Sequence, residues 1–188
     1  MKRVLIVKTS SMGDVIHTLP AVSDACAAIP NIVFDWVVEE AFAEIPSWHP
    51  NVETVIPVAI RRWRKNLLRF IGSDEWTLFR HAIAAKQYDA VIDAQGLIKS
   101  ALLTKLVKGT VCGYDRNTVR EPLASLAYQK TFPVAKDQHA VERTRALFSL
   151  ALGYEKPNTP PNYGIDRRRF GVQDESPYVL FLHGTTRD

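Results

Sequence analysis

Short apolar runs rich in β-branched residues alternate along this chain with longer segments of helical periodicity, and this alternation constrains the fold more than any other feature. Because the runs are almost continuously hydrophobic, both faces of the sheet that they form must be covered, which is typical of parallel strands. The pattern predicts an α/β domain, a Rossmann-like parallel sheet with helices on both faces. The predicted strands are Val4–Lys8, Ile32–Val38, Val52–Val58, Asp89–Ala94, Thr110–Tyr114 and Thr131–Ala135.

The 188 residues, 46% of them hydrophobic, suffice for one domain with a real core. A helix predicted over Gln138–Gly153 ends at a glycine and is followed by the proline-rich stretch KPNTPPNYG. We therefore predict an amino-terminal domain over 1–153 and a linker over 154–176. Residues 177–188 would then be the first strand and loop of a second domain. Because a strand without a following helix would leave an apolar face uncovered, we expect the chain to be part of a two-domain protein.

The composition and the amino terminus indicate a cytoplasmic protein. Only four apolar residues separate the basic start from Lys8, too few for the core of a signal peptide. No apolar stretch approaches the roughly 20 residues of a transmembrane helix. Cys26 and Cys112 have neither CxxC nor metal-ligand spacing, so we predict buried thiols in a reducing compartment.

The loop KTSSMGD, which ends at Asp14, joins the first predicted strand to a helix. Ligands of doubly wound sheets bind outside the carboxyl ends of the strands, where free amides at a helix start favour anions. Asp14 has two interpretations: it caps the helix, or it is the base that takes the proton from an acceptor hydroxyl in glycosyl transfer. The spacing alone favours the cap. His17, one turn later, either pairs with Asp14 or is a half-buried helix residue, and the second interpretation is favoured.

Several motifs that would indicate other chemistry do not occur in the sequence. Neither GxGxxG nor GxxxxGK[ST] is found, which disfavours dehydrogenases and P-loop kinases. There is no DxD triad, and His, Cys and carboxylates show no ligand spacing. We therefore predict no metal and no cofactor.

A basic stretch, Arg61–Arg69, holds five cations and no acid, whereas the rest of the chain has 19 basic and 20 acidic residues. Its apolar positions have helical spacing, so we predict a basic amphipathic helix over Ile60–Ile71 that binds an anionic ligand or a membrane surface. The alternative is the solvated face of an ordinary helix. Nucleic acid is disfavoured as a partner, since there is no run of interleaved aromatic residues and the rest of the chain is not basic.

Further cations occur at predicted loops or helix starts. Taken singly, each is more typical of a surface charge or an ion pair, and only together do they indicate an anionic acceptor. They are Lys99, Arg120, His139, Arg143 and Arg145.

Segments throughout the chain resemble one known family. They are KTSSMGDVIHTLPA, FDWVVEE, IPSWHP, VIPVAIRRWRK, YDAVIDAQGLIKSA, REPLASLAY, HAVERTRALF and LHGTTRD. Together they are similar to the heptosyltransferase I family of lipopolysaccharide inner-core synthesis. The resemblance implies the amino-terminal domain of a GT-B glycosyltransferase, which transfers L-glycero-D-manno-heptose from ADP-heptose to Kdo2-lipid A with inversion and without a metal. It also implies attachment to the cytoplasmic face of the inner membrane.

The same resemblance implies roles for individual residues. Asp14 would be the general base, and Met12, Gly13, Thr185 and Thr186 would lie near the donor phosphates. The acceptor-binding residues would be Arg61, Arg62, Arg64, Lys65, Lys99, Arg120, His139 and Arg143. Two hypotheses from other classes remain: an inert module that binds anionic lipid or another polyanion, and a nucleic-acid binder, which ranks last.

Overall fold

The computed structural model of the chain describes residues 1–64, 73–166 and 170–171. Its strands are β1 (Lys2–Val7), β2 (Ile32–Glu39), β3 (Val52–Val58), β4 (Ala90–Asp93), β5 (Val111–Tyr114) and β6 (Lys130–Phe132). Its α-helices are α1 (Met12–Ile16), α2 (Leu19–Ala28), α3 (Ile60–Trp63), α4 (Asp74–Ala84), α5 (Ile98–Thr104) and α6 (Ala140–Leu152). Short 3-10 segments lie at Glu40–Phe42, Pro46–Trp48 and Pro122–Ala127.

The strands form one parallel sheet in the order β3-β2-β1-β4-β5-β6. All six predicted strands are confirmed, with ends that differ by at most three residues. The four consecutive residues from Val4 to Val7 in β1 are fully buried. Because successive side chains of a strand point to opposite faces, both faces of the sheet are covered, as predicted. The strand order reverses between β1 and β4, so a crevice forms at the carboxyl ends of these two strands.

The sequence predicted a single helix after the Asp14 loop, but the structure has two helices there. α1 ends at Ile16 and α2 begins at Leu19. The reason is Pro20, which has no amide to donate and whose ring would clash with the carbonyl four residues earlier in a continuous helix. Asp14 lies inside α1, two residues after its start, and Ser11 is the N-cap. The Asp14 side chain accepts the Ser11 amide in a capping box, so the predicted capping role is confirmed from this position.

The predicted carboxy-terminal helix is confirmed as α6, which ends where Gly153 adopts the left-handed backbone that favours glycine (φ 78°). The expected basic helix begins at Ile60 as α3, but its predicted continuation over 65–71 lies outside the described residues. None of the helices in the described ranges combines the length and hydropathy of a membrane-spanning segment. Cys112 is buried as predicted, whereas Cys26 is only half-buried, and neither forms a disulfide.

The described part of the predicted linker packs onto the domain. Arg145 of α6 is only 2% exposed, and its Nε donates to Asp24 Oδ2 at 2.6 Å. Its Nη2 also donates to the carbonyls of Pro157 and Thr159. The expectation that Arg145 joins an anionic-acceptor cluster is therefore wrong, because a buried guanidinium needs a paired carboxylate and takes Asp24. The prediction that 177–188 opens a second domain lies outside the described residues.

Candidate active site at the carboxyl ends of β1 and β4

The Asp14 loop, Lys8–Asp14, leaves the carboxyl end of β1 and lies beside the residues that follow β4. The β1–β4 pairing runs to Val7 opposite Asp93, and the chain continues from both strands into the crevice. The segments that follow the two central strands of a buried sheet therefore form the floor of this crevice. Rigid strands of this kind suit a site that needs fixed geometry.

The Asp14 carboxylate is the acidic group of this site. Its Oδ2 accepts a hydrogen bond from the backbone amide of Ser11 at 3.1 Å. Its Oδ1 lies 3.4 Å from Nη2 of Arg120 and 3.8 Å from Nζ of Lys8. The Asp14 side chain is 17% exposed, so it is held by the protein on one side and open to a substrate on the other.

Lys8 is a buried cation that the sequence analysis did not identify as a site residue. It is 5% exposed, and its Nζ donates to the carbonyl oxygen of Ala94 at 3.0 Å. Burial lowers the pKa of Lys8 from 10.5 to about 8, and the Asp14 carboxylate partly opposes that shift. Lys8 thus connects the carboxyl end of β4 with the carboxylate of α1.

A pocket opens beside these residues, and Arg143 adds a further cation to its wall. It is lined by Lys8, Asp14, Gln95, Tyr114, Arg120 and Arg143. With three cations and one carboxylate, its wall suits an anionic ligand. Among the described residues, no group of three His, Cys, Asp or Glu side chains has the arrangement of a metal site.

Arg143 is only partly engaged by the protein. Its guanidinium lies over the ring of Tyr114, 4.8 Å from the centroid, and its Nη2 donates to the Thr118 carbonyl at 2.8 Å. Its buried Nε has no hydrogen-bond partner within the part of the chain that the structure describes. A buried donor without a partner favours a ligand that supplies the acceptor.

The other expected ligand-binding residues surround the loop to different extents. His139 lies 5.4 Å from His17, ring to ring, but its Nδ1 accepts the amide of Val141 and so caps α6. Lys99 is half-buried in the first turn of α5. Met12 is exposed, and a Cβ added at Gly13 would meet no atom within 4 Å, which leaves open space above the loop.

The basic stretch divides into residues with different surroundings. Arg62 lies between Glu40 and Glu75, with its Nη2 3.0 Å and 2.5 Å from their carboxylate oxygens. The Arg61 guanidinium lies 5.7 Å from the ring of Phe42. Arg64 is exposed. Lys65, Thr185 and Thr186 lie outside the described residues.

Sequence reasoning missed Lys8, Asp93 and Gln95. A signal was present in YDAVIDAQGL, where polar residues directly follow an apolar strand at the edge where ligands of such sheets bind. Asp93 is fully buried and accepts four hydrogen bonds, two of them from the backbone amides of Gln95 and Gly96. Its role is to fix the loop after β4.

Comparison with known proteins identifies the family. Residues 76–188 match the model of glycosyltransferase family 9 (heptosyltransferase), more than half of the chain. The chain belongs to glycosyltransferase family 9. The resemblance expected from its sequence segments is therefore confirmed.

Similar members of glycosyltransferase family 9 are known in sequence and in structure. The chain is 60% identical over 186 residues to lipopolysaccharide heptosyltransferase 1 of Pseudomonas aeruginosa, covering 98% of this chain and 52% of the relative. It is 60% identical over 189 residues to the Escherichia coli K12 protein of the same name, covering 99% of this chain and 59% of the relative. The chain thus spans between half and three fifths of the length of these relatives.

Among solved structures, the chain is similar to E. coli heptosyltransferase WaaC with ADP. The TM-score is 0.92 at 60% identity, and the match covers 99% of this chain and 59% of that one. A glycosyl transferase family 9 structure from Veillonella parvula matches with a TM-score of 0.67 at 18% identity, covering 87% of this chain and 44% of that one. At that identity, the second match supports the fold alone.

Proposed function

We propose that this chain is the acceptor-binding half of an inverting heptosyltransferase that acts in lipopolysaccharide inner-core synthesis. The enzyme would transfer L-glycero-D-manno-heptose from ADP-heptose to Kdo2-lipid A. The observation that carries the proposal is the Asp14 carboxylate, held 3.4 Å from Arg120 and 3.8 Å from Lys8 in the crevice between β1 and β4. The similarity in fold to WaaC, solved with ADP, supports the same choice of donor nucleotide.

Asp14 is the general base in this proposal. In the proposed reaction, an acceptor hydroxyl attacks the anomeric carbon of the heptose while its proton passes to Asp14. The bond between that carbon and the diphosphate breaks on the opposite face, and the bonding electrons leave with ADP. The configuration at the anomeric carbon is thereby inverted. The ion pairs of Asp14 orient its carboxylate, so it works by position as much as by basicity.

The donor is proposed to lie above the Asp14 loop. A related structure of WaaC contains ADP-2-deoxy-2-fluoro heptose, which supports a nucleotide-sugar donor for this chain. The open space at Gly13 and the exposed Met12 leave room for the diphosphate. We assign Thr185 and Thr186 to the same phosphates by resemblance. Fixed cations near Asp14, rather than a metal, are proposed to offset the charge of the departing diphosphate.

The acceptor is proposed to be Kdo2-lipid A, whose carboxylates and phosphates match the basic groups around the crevice. Arg120 and Arg143 line the pocket beside Asp14, which supports their assignment to the acceptor. Arg61 and Arg64 extend the positive surface, and Lys65, Lys99 and His139 join the assignment by resemblance. Arg62 is a weaker choice, because two glutamates already occupy its guanidinium. Attachment to an anionic membrane surface at the cytoplasmic face of the inner membrane follows from the lipid acceptor.

Substitution of Asp14 tests the proposal in the full-length protein that contains this chain. Asp14→Asn keeps an oxygen that can accept the Ser11 amide but removes the base. We expect kcat for heptose transfer to fall by about 10²- to 10⁴-fold, with the melting temperature changed by no more than about 2 °C. The matched control is Asp89→Asn, because the Asp89 carboxylate accepts the Arg3 amide at the amino-terminal ends of the strands, away from the crevice. It should leave kcat within about threefold of wild type.

Several outcomes would overturn parts of the proposal. Wild-type protein that binds anionic vesicles but transfers no heptose would favour the inert binding module. Asp14→Asn protein with full turnover would remove Asp14 as the base. Product with a retained anomeric configuration, measured by NMR, would contradict inversion. Activity that EDTA abolishes and Mg²⁺ restores would contradict metal independence.

A further inference from the structure

Gln95 is a buried polar side chain that joins the two central strands beyond the point where their backbone pairing ends. The side chain is 2% exposed. Its Oε1 accepts the backbone amides of Thr9 and Ser10, both at 3.0 Å, and lies 3.4 Å from the Thr9 hydroxyl. Gln95 therefore supplies the acceptor for the first amides of the Asp14 loop.

These contacts continue the strand ladder through a side chain. The last backbone bond on this side runs from the Ala94 amide to the Val7 carbonyl at 3.1 Å. Beyond it, β1 and β4 no longer pair, and the buried amide of Thr9 would lack a partner without Gln95. One carbonyl oxygen thus satisfies two consecutive donors in the segment that leads to Asp14.

The backbone of Gln95 is itself held by the buried carboxylate of Asp93. Asp93 Oδ1 accepts the amides of Gln95 at 2.9 Å and Gly96 at 3.0 Å. Asp93 Oδ2 accepts the hydroxyls of Ser100 at 2.9 Å and Tyr128 at 2.8 Å. All four of these hydrogen bonds are buried. The backbone of Gln95 therefore has little freedom to move, and the side-chain oxygen that holds the loop is fixed with it.

The position of the loop determines the position of Asp14. Ser11, the residue after the second amide held by Gln95, donates its own amide to Asp14 Oδ2 at 3.1 Å. On its other side, the Thr9 carbonyl accepts the Glu39 amide at 3.0 Å, and Lys8 and Arg120 contact the Asp14 carboxylate. A shift of Ser10 and Ser11 would therefore carry the carboxylate with it.

We propose that Gln95 is a positioning residue for the transfer reaction: its side-chain carbonyl holds Thr9 and Ser10 so that the Asp14 carboxylate stays aligned with the acceptor hydroxyl. The proposal rests on the proposed function, in which Asp14 is the base. It assigns no contact with substrate to Gln95. A displacement of about 1 Å in a reacting group can cost about a hundredfold in rate, so loss of this hold should appear in kcat.

Hydrogen–deuterium exchange tests the hold without reference to activity. Gln95→Met keeps the approximate size of the side chain and removes the acceptor. We expect exchange at Thr9 and Ser10 to accelerate at least about tenfold. Gln129→Met is the matched control, because the Gln129 side-chain carbonyl accepts the amide of Val111 at the amino-terminal end of β5, away from the Asp14 loop. It should accelerate exchange at Val111 and leave the Asp14 loop unchanged. Unchanged exchange at Thr9 and Ser10 in Gln95→Met would overturn the proposal.

Steady-state kinetics on the full-length protein test the positioning role. For Gln95→Met we expect kcat to fall about 10- to 100-fold, with KM for ADP-heptose within about threefold of wild type. Gln95→Glu restores an oxygen acceptor at the same reach and should recover most of the lost kcat. Gln95→Asn is one methylene too short to hold both amides and should lose kcat as Gln95→Met does, which gives a second variant if the first fails to fold.

The outcomes separate this proposal from the proposed function. A kcat of Gln95→Met equal to that of wild type, or a loss that Gln129→Met reproduces, would overturn the positioning role while heptose transfer stands. A loss of kcat in Gln95→Met that Gln95→Glu does not recover would also overturn the positioning role. If the wild-type protein transfers no heptose, the proposed function and the kinetic role both fail, and the exchange experiment still decides whether Gln95 holds the loop.

Discussion

The ammonium nitrogen of Lys8 lies 3.8 Å from Oδ1 of Asp14, although the Lys8 side chain is almost fully buried at the end of β1. Burying a cation is unfavourable, and the nearby carboxylates of Asp14 and Asp93 compensate only in part, since the pKa of Lys8 is still lowered to about 8. A destabilising group at this position is typical of a functional site, where stability is traded for chemistry.

Removal of the Lys8 charge should separate stability from activity. Because the folded-state pKa of about 8 is below the ordinary 10.5, the unfolded chain binds more protons between these pH values. The folding stability of wild type therefore rises with pH through this window. Relative to Lys8→Met, which lacks the ammonium group, the wild-type protein should gain up to about 3 kcal/mol of folding stability between pH 8 and 10.5.

Urea unfolding of both proteins across this pH range measures that difference. At pH 7 we expect Lys8→Met to be no less stable than wild type, while its kcat falls at least about tenfold because Asp14 loses a neighbouring cation. A stability difference that does not change with pH, or undiminished kcat, would contradict the assignment.

Neighbouring arginines of the basic stretch should affect the acceptor differently. The Arg62 guanidinium is held between Glu40 and Glu75, whereas the Arg61 guanidinium has no carboxylate contact among the described residues and lies near the Phe42 ring. We expect Arg61→Gln to raise KM for Kdo2-lipid A about 3- to 10-fold and Arg62→Gln to change it less than twofold. Initial rates at saturating ADP-heptose measure both. Equal effects of the two substitutions would show that the ion pairs of Arg62 do not shield it from the acceptor.

His49 should make the fold sensitive to acid. It is buried, its Nδ1 accepts the Asn51 amide at 3.2 Å, and its Nε2 lies 3.1 Å from the Ser23 hydroxyl. Burial lowers the pKa of His49 from 6.5 to about 4. The unfolded chain therefore binds more protons than the folded chain between pH 6.5 and pH 4. The contribution of neutral His49 to folding stability is fully present above pH 6.5 and is lost progressively as the pH falls towards 4.

At pH 4 the wild-type protein should have lost about 3 kcal/mol of folding stability relative to a variant without the His49 imidazole. Urea unfolding of wild type and His49→Gln between pH 4 and pH 7 measures it. His17→Gln serves as the control at a half-buried histidine outside this contact. A wild-type curve parallel to that of His49→Gln would contradict the prediction.

The helices show how far local patterns reach. The period of apolar residues predicted α6, and its end followed from Gly153, because a left-handed backbone there is a local property. The split between α1 and α2 was missed, although Pro20 was visible in the sequence and its steric effect is equally local. Better use of the same information would have ended the first helix before Pro20.

The environments of charged residues could not be predicted in the same way. Arg145 has the same chemistry as Arg143 and lies two residues away, yet one pairs with Asp24 in the core and the other lines the pocket beside Asp14. Helical geometry separates their directions, but the choice of partner depends on how α2 packs against α6. A local pattern contains no information on that packing.

The sequence by itself determined the parallel α/β fold and the family, because hydrophobic periodicity and the order of the motifs are properties of the chain itself, and it made Asp14 a candidate site residue. Only the tertiary structure decided which groups surround Asp14. Lys8 and Gln95 are 87 positions apart in the numbering, and they come together because β1 and β4 lie side by side where the strand order reverses. Whether a polar side chain is a surface group or part of a site is decided by which segments the sheet places next to it, and that depends on the whole fold.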